Sequence, residues 1–152
     1  RAGVVQHSYF HRHLDWAHAI CHTHTTAATA VCSTEGGLQP TNFYACAFTG
    51  QLAYHDFEGV TVRPEEGERL LANLGDKRVL MLRNHGPVVL AETLPEMFLN
   101  MWTLQRACEV QCATLAMTCT WRLRRAARAM PISRHGSGGL IGSTGVGGID
   151  RM

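Results

Sequence analysis

Apolar positions along this chain switch between a helical period and a strand period, and the switches mark out its elements. Over residues 3–14, Val4, Val5, His7, Ser8, Phe10, His11 and Leu14 fall at the spacing of one helix whose apolar stripe faces a sheet. The run Ala17-His18-Ala19-Ile20 closes on Cys21-His22-Thr23-His24 and reads as a strand. Small residues fill 25–32, which suits a helix that begins close against that strand end. Gly36-Gly37 and Pro40 mark a turn, 42–48 a short helix stopped by Gly50, and 51–54 a further strand. After Pro64, acids in the first turn open a surface helix that ends at Gly75, where a left-handed cap is available. Residues 78–83 and 88–91 are apolar runs joined by the turn Asn84-His85-Gly86-Pro87, a pattern of hairpin-connected strands more than of parallel crossovers. Thr93 as N-cap, Pro95 in the first turn and Glu96 three residues on start a long helix. Along it Leu94, Phe98, Met101, Trp102, Cys108, Cys112 and Leu115 recur at helical spacing, as core or subunit contact, and Arg106 and Glu109 form an i, i+3 pair on the exposed face.

Two histidines one residue apart on a strand project to the same side, so His22 and His24 can share one metal ion. His85 follows the buried-strand pattern Val79-Leu80-Met81-Leu82, and two adjacent strands of one sheet would bring all three imidazoles together. Three His ligands with an open fourth position is a pattern of catalytic zinc. Spacing alone leaves a plainer reading open, a strand end that exposes two histidines to solvent. His7 and His11 share a helix face, and with His13 and His18 they read as surface or interface histidines. His55-Asp56-Phe57-Glu58-Gly59 reads as a solvated turn whose acids answer backbone amides, with a catalytic loop as the alternative.

The length of 152 residues allows one domain with a real core, yet is small for an enzyme that encloses its own active site, so a subunit interface is expected to complete it. The 45% hydrophobic and 17% charged content is that of a soluble globular chain, and no apolar run is long enough to cross a bilayer. The chain opens on Arg1 with no basic, apolar, small-residue leader, which reads as a fragment without a signal peptide. None of the six cysteines (Cys21, Cys32, Cys46, Cys108, Cys112, Cys119) lies in a C-x-x-C pair, and most sit in apolar segments, so free thiols and a cytoplasmic setting are expected. Residues 1–121 carry eight Lys or Arg against eleven acids, whereas 122–152 carry six Arg against one Asp. The domain is therefore expected over 1–119, followed by an Arg- then Gly-rich tail over 120–152 with too little apolar surface to fold. No aromatic residues interleave its arginines as nucleic-acid stacking would need, and no glycine run completes a phosphate loop.

The order of motifs resembles the class II aldolase and adducin family over roughly 2–116. It rests on Ala2-Gly3 with His7-Ser8, His22-Thr23-His24 before small residues, Ala53-Tyr54-His55-Asp56-Phe57-Glu58-Gly59, Leu74-Gly75-Asp76-Lys77-Arg78, Leu82-Arg83-Asn84-His85-Gly86 and Arg106-Ala107-Cys108-Glu109-Val110-Gln111. The resemblance implies an α/β fold, a three-layer α/β/α sandwich with a mostly antiparallel central sheet. It also implies homotetramers with sites at subunit interfaces, and Zn2+ held by His22, His24 and His85. Three departures stand against it. The catalytic carboxylate of the family's sugar-phosphate aldolases falls on Gly3, as it often does in the adducin-like branch; the family's first strands and substrate loop would precede Arg1; and the tail from Thr120 matches nothing in the family.

The function implied is that of a metal-dependent lyase acting on a small hydroxy-carbonyl or sugar-phosphate substrate through a zinc-stabilised enediolate. Decarboxylase or dehydratase chemistry on the same scaffold fits as well. Tyr44, Tyr54 and His7 are neighbourhood candidates for the missing proton transfer, with Tyr44 near a family tyrosine if one residue of slippage is allowed. The alternative is a non-catalytic, adducin-like oligomerisation and interaction domain.

Overall fold

The computed structural model describes residues 2–59 and 65–117; the expected tail over 120–152 and Cys119 lie outside them. In chain order the elements are α1 (Ala2–His13), β1 (Ala19–His22), α2 (Thr26–Cys32), α3 (Phe43–Cys46), β2 (Leu52–His55), α4 (Glu66–Leu74), β3 (Val79–Leu82), β4 (Gly86–Ala91) and α5 (Leu94–Ala116). The four strands form one sheet in the order β1-β4-β3-β2. β1 and β3 both run antiparallel to β4, with His22 opposite Val88 and Leu82 opposite Gly86.

The third pairing, β2 with β3, is parallel, with Leu52 opposite Val79. This departs from the hairpin-dominated reading for a simple reason. The short turn after Leu82 can only reverse the chain, whereas the connection from β2 to β3 contains α4 and returns the chain in its original direction. The sheet is mixed, with two antiparallel pairings out of three.

Every residue of β3 and β4 is buried, as expected of strands covered on both faces. Alternation divides their side chains between two cores. Val79, Met81 and Val89 pack with Ala28, Val31, Leu104 and Cys108 of α2 and α5, while Leu80, Leu82, Val88 and Leu90 pack with Phe10, Leu70 and Leu74 of α1 and α4. The result is the three-layer α/β/α sandwich, with α2, α3 and α5 on one face and α1 and α4 on the other.

The start of α5 follows its sequence signals. The Thr93 hydroxyl accepts from Glu96 N–H at 3.3 Å, and the Glu96 carboxylate accepts from Glu92 N–H at 3.2 Å. Arg106 and Glu109 pair at 2.5 Å. The long apolar stripe divides in two: Met101, Leu104, Ala107 and Cys108 are core, whereas Leu94 and Phe98 stand about two-thirds exposed and Trp102 about half exposed. Among the described residues no helix is long and apolar enough to cross a membrane.

Thiol chemistry tests the packing of α2 against α5. Burial pushes both Cys32 and Cys108 up to about 12, from an ordinary value of 9.0. Between those values the folded chain keeps protons that the unfolded chain releases, so stability should fall as pH rises through this window. The urea midpoint should drop from about pH 9 upward, and less steeply in Cys108→Ala. In the native state maleimide should modify exposed Cys46 well before Cys32 or Cys108, as read by peptide mass mapping; equal labelling would contradict this packing.

Candidate metal centre

The centre forms where β1 ends and the β3–β4 hairpin turns back. β1 pairs with β4 up to His22, and Thr23 N–H still donates to the Pro87 carbonyl at 3.3 Å. Pro87 has no N–H to return, so the ladder stops there and the chain is released into His24 and the start of α2. Across the seam, Asn84 takes a left-handed conformation with φ of 54°, tolerable for an Asn, and this sets the turn that carries His85. Neighbouring elements pin that turn. Asn84 N–H donates to Cys32 C=O at 3.3 Å, Thr29 Oγ1 donates to His85 C=O at 3.2 Å, and Arg83 N–H donates to His55 C=O at 2.8 Å. The small side chains of α2 have this consequence: its backbone and one Thr hydroxyl come close enough to hold a metal-site turn.

His22, His24 and His85 converge. His22 Nε2 lies 2.8 Å from His24 Nε2 and 3.3 Å from His85 Nε2, and the three ligand atoms all lie within 4.8 Å of one another. Four tetrahedral ligands at the 2.0–2.1 Å usual for zinc and histidine would be spaced roughly 3.3–3.4 Å apart. The set therefore has the span of one ion. His22 Nδ1 lies 2.9 Å from Pro87 C=O, and a carbonyl only accepts, so the proton sits on Nδ1 and the Nε2 lone pair faces the cluster. Burial, then the neighbouring His85, His24 and His7, pushes His22 down to about 4, against a smaller upward pull from the Pro87 hydrogen bond. Burial, with His24 beside it, also lowers His85. Neutral imidazoles with converging lone pairs are the form a metal requires. Among the described residues this is the only such group of three.

The other candidates separate by sheet face. His7, on α1, is close enough to His22 for its charge to depress that residue, and is itself lowered by burial and then by His11. Tyr44 lies in the opposite layer, on α3, its ring edge-on to Trp102 of α5 at 5.9 Å between centroids. Tyr54, on the same face of the sheet, accepts from Leu38 N–H at 3.0 Å, lies beneath the Arg83 guanidinium, and is raised by burial. His55 is not in a solvated turn. It is the last residue of β2, 3% exposed, with Nδ1 2.7 Å from Asn73 Nδ2 and Nε2 3.5 Å and 3.7 Å from carboxylate oxygens of Glu58 and Glu66. Glu58 is gripped by Arg69 through two nitrogens. The supporting groups that pattern reading did not identify are Thr29 and the Pro87 carbonyl; the only local signal was the Asn84-His85-Gly86-Pro87 turn itself.

A three-layer α/β domain with three histidines gathered between a strand end and a hairpin turn defines the class of protein. The chain belongs to the class II aldolase and adducin family: the family described as Class II Aldolase and Adducin N-terminal domain matches residues 1–112. A "Putative aldolase class 2 protein" of Caulobacter vibrioides is 40% identical over 116 residues, covering 76% of this chain and 45% of that one. Alpha-adducin of Rattus norvegicus is 41% identical over 117 residues, again 76% of this chain but 16% of adducin. The solved L-fuculose 1-phosphate aldolase from Glaciozyma antarctica PI12 superposes with a TM-score of 0.66 at 27% identity, over 78% of this chain and 44% of that one. The chain thus spans less than half the length of these relatives.

Gly86 allows the hairpin to close on the centre. A Cβ there would lie 2.2 Å from Thr23 O and 3.2 Å from His24 Cδ2, and the first contact is with backbone that cannot swing aside. Gly86→Ala should therefore push β1 and β4 apart at the histidines and cost about 1–3 kcal/mol, as overpacked sites do. Urea denaturation measures it, and an unchanged midpoint would show that the seam is looser than described.

Proposed function

We propose that this chain is the metal-binding core of a class II aldolase-type lyase acting on a small hydroxy-carbonyl or sugar-phosphate substrate. The observation that carries the reading is the convergence of His22, His24 and His85, with the His22 tautomer held by the Pro87 carbonyl. A bound zinc ion would supply Lewis-acid stabilisation of negative charge developing on adjacent substrate oxygens. The chain's own contribution is to hold three imidazoles in place, to keep the His22 proton on Nδ1, and to leave one side of the cluster open through exposed His24. Of His7, Tyr44 and Tyr54, His7 is the one whose charge acts on His22, which supports it as the proton carrier. Tyr44 and Tyr54 lie across the sheet, and either would have to reach a substrate from another subunit. A homotetramer and a cytoplasmic setting complete the proposal, and the exposed Leu94, Phe98 and Trp102 on α5 support self-association.

The rival is a non-catalytic, adducin-like assembly module, and the 41% identity to alpha-adducin favours it, as does Gly3 at the position of the aldolase carboxylate. Retention of three metal-competent imidazoles favours the enzyme.

Two measurements separate these readings. The chain should retain about one zinc per subunit after dialysis, and His22→Ala and His85→Ala should each lose most of it; retention by both variants at the parent level would remove the triad assignment. Turnover tests the chemistry. General acid/base assistance is worth roughly 10²–10⁴-fold, so a longer parent chain with Gly3 should cleave ketose phosphates weakly, and Gly3→Glu should raise cleavage without changing zinc content. Aldolase-level turnover with Gly3 in place would mean that another group, His7 first, moves the proton.

A further inference from the structure

His55 carries a buried ring proton that no described residue accepts. It ends β2 opposite Leu82, 3% exposed, on the sheet face covered by α1 and α4. His22 lies on that face too, two residues beyond Ile20, so His55 and the metal centre share one layer. Asn73 Nδ2 can only donate, so its 2.7 Å contact makes His55 Nδ1 the acceptor and leaves the proton on Nε2. Nε2 has no hydrogen-bond partner: carboxylate oxygens of Glu58 and Glu66 stand 3.5 Å and 3.7 Å from it, too far to accept directly.

The space beside that proton leads to the metal centre. A void of about 10 Å³, room for roughly one water, is lined by His55, Glu58 and Glu66 and reaches His85. An imidazole that binds metal through one nitrogen donates its other N–H to a carboxylate, a carbonyl or water. His22 has the Pro87 carbonyl for this, and His24 is open to solvent. His85 turns Nε2 toward His22, and no described residue bonds its Nδ1. One water in the void closes the count: it accepts from His55 Nε2–H and His85 Nδ1–H and donates to Glu66 and Glu58, which uses its full bonding capacity. The carboxylates around it are not equivalent. Asp56, which also borders the void, and Glu58 are exposed, and Glu58 is already gripped by Arg69. Glu66 is 6% exposed, where solvent screens its charge least.

We propose that Glu66 orients His85 for metal binding: through one water anchored on His55, its carboxylate answers the His85 Nδ1–H while Nε2 faces the ion. Glu66 and His55 are thus positioning residues, which act through His85 and do not touch the metal. This rests on the metal-centre reading of His22, His24 and His85. The competing account makes the cluster a clamp that ties the end of β2 to α4 through Asn73 and Arg69, with no bearing on the metal.

The test is zinc affinity, by competition with a chromophoric chelator, in the full chain and in Glu66→Gln, Asp56→Asn, His55→Leu and His55→Gln, with circular dichroism, urea midpoints and cobalt(II) absorption spectra for each. Loss of a group that supports a metal-bound histidine costs roughly 10–100-fold in affinity, so folded Glu66→Gln should bind zinc about tenfold more weakly or worse and shift the cobalt bands. Asp56→Asn should match wild type. His55→Leu should weaken binding as Glu66→Gln does, and His55→Gln, whose amide keeps a donor near the place of Nε2, should recover most of it. Wild type alone gives a further check: nitrogen-15 NMR of the zinc-loaded chain should find the His55 proton on Nε2. Wild-type zinc affinity in folded Glu66→Gln, with or without a lower urea midpoint, overturns the proposal. So does a loss confined to Asp56→Asn, or a His55 proton on Nδ1. Those outcomes leave the histidine triad standing, whereas absence of zinc binding by folded wild type sinks the metal-centre reading and this assignment with it.

Discussion

One carbonyl oxygen ties the fold to its chemistry. Pro87 C=O takes the last interstrand hydrogen bond from Thr23 and the Nδ1 proton of His22, so the same acceptor closes the β1–β4 ladder and orients the first imidazole. A proline serves both ends at once. Its carbonyl is available, and its missing N–H ends the pairing where the chain must leave the sheet to present His24. The remaining supports, from Thr29, Cys32 and Arg83, act on the opposite wall by holding the turn that carries His85. A change that displaced β4 by a fraction of an ångström would move two histidines relative to the third while leaving the hydrophobic layers intact.

Much of this was legible before the coordinates. His22 and His24 announce themselves because a period of two puts them on one side, and Asn84-His85-Gly86-Pro87 between two apolar runs is turn chemistry with few alternatives. The capping signals at Thr93 and Glu96 state a local interaction, and local interactions survive folding unchanged. What could not be read was relational. Whether β2 runs parallel or antiparallel to β3 depends on where α4 sends the chain, which no alternation within 51–54 encodes. His55 looked like a loop residue because acids and a glycine follow it. It is buried because Glu58, Glu66 and Asn73, up to eighteen positions away, bring polar partners to it. The stripe on α5 had the right period, but periodicity does not say how much of a face this chain can cover; Leu94 and Phe98 keep the period and stay exposed.

The two relatives that pull the functional reading apart share this scaffold for understandable reasons. A sheet buried on both faces, with its hairpin pinned by a neighbouring helix, is a rigid platform whether or not a substrate ever reaches it. Catalysis adds proton transfer to the metal, and that step resides in few residues. If Gly3 stands where the aldolases carry their carboxylate, as the resemblance implies, one substitution would suffice to separate an enzyme from a scaffold.

The sheet order has a consequence for how the centre comes into being. β3 and β4 are joined by a three-residue turn and can meet early, whereas β1 must find β4 across 66 positions of chain, the separation between His22 and Val88. Closing so long a loop is the slower and entropically costlier event, and until it happens His85 has no partners. The three imidazoles are therefore a late product of folding. A metal ion captured by all three at once would select chains whose most distant strand pairing is already made, and would act as a seal on the completed sheet and not as its nucleus.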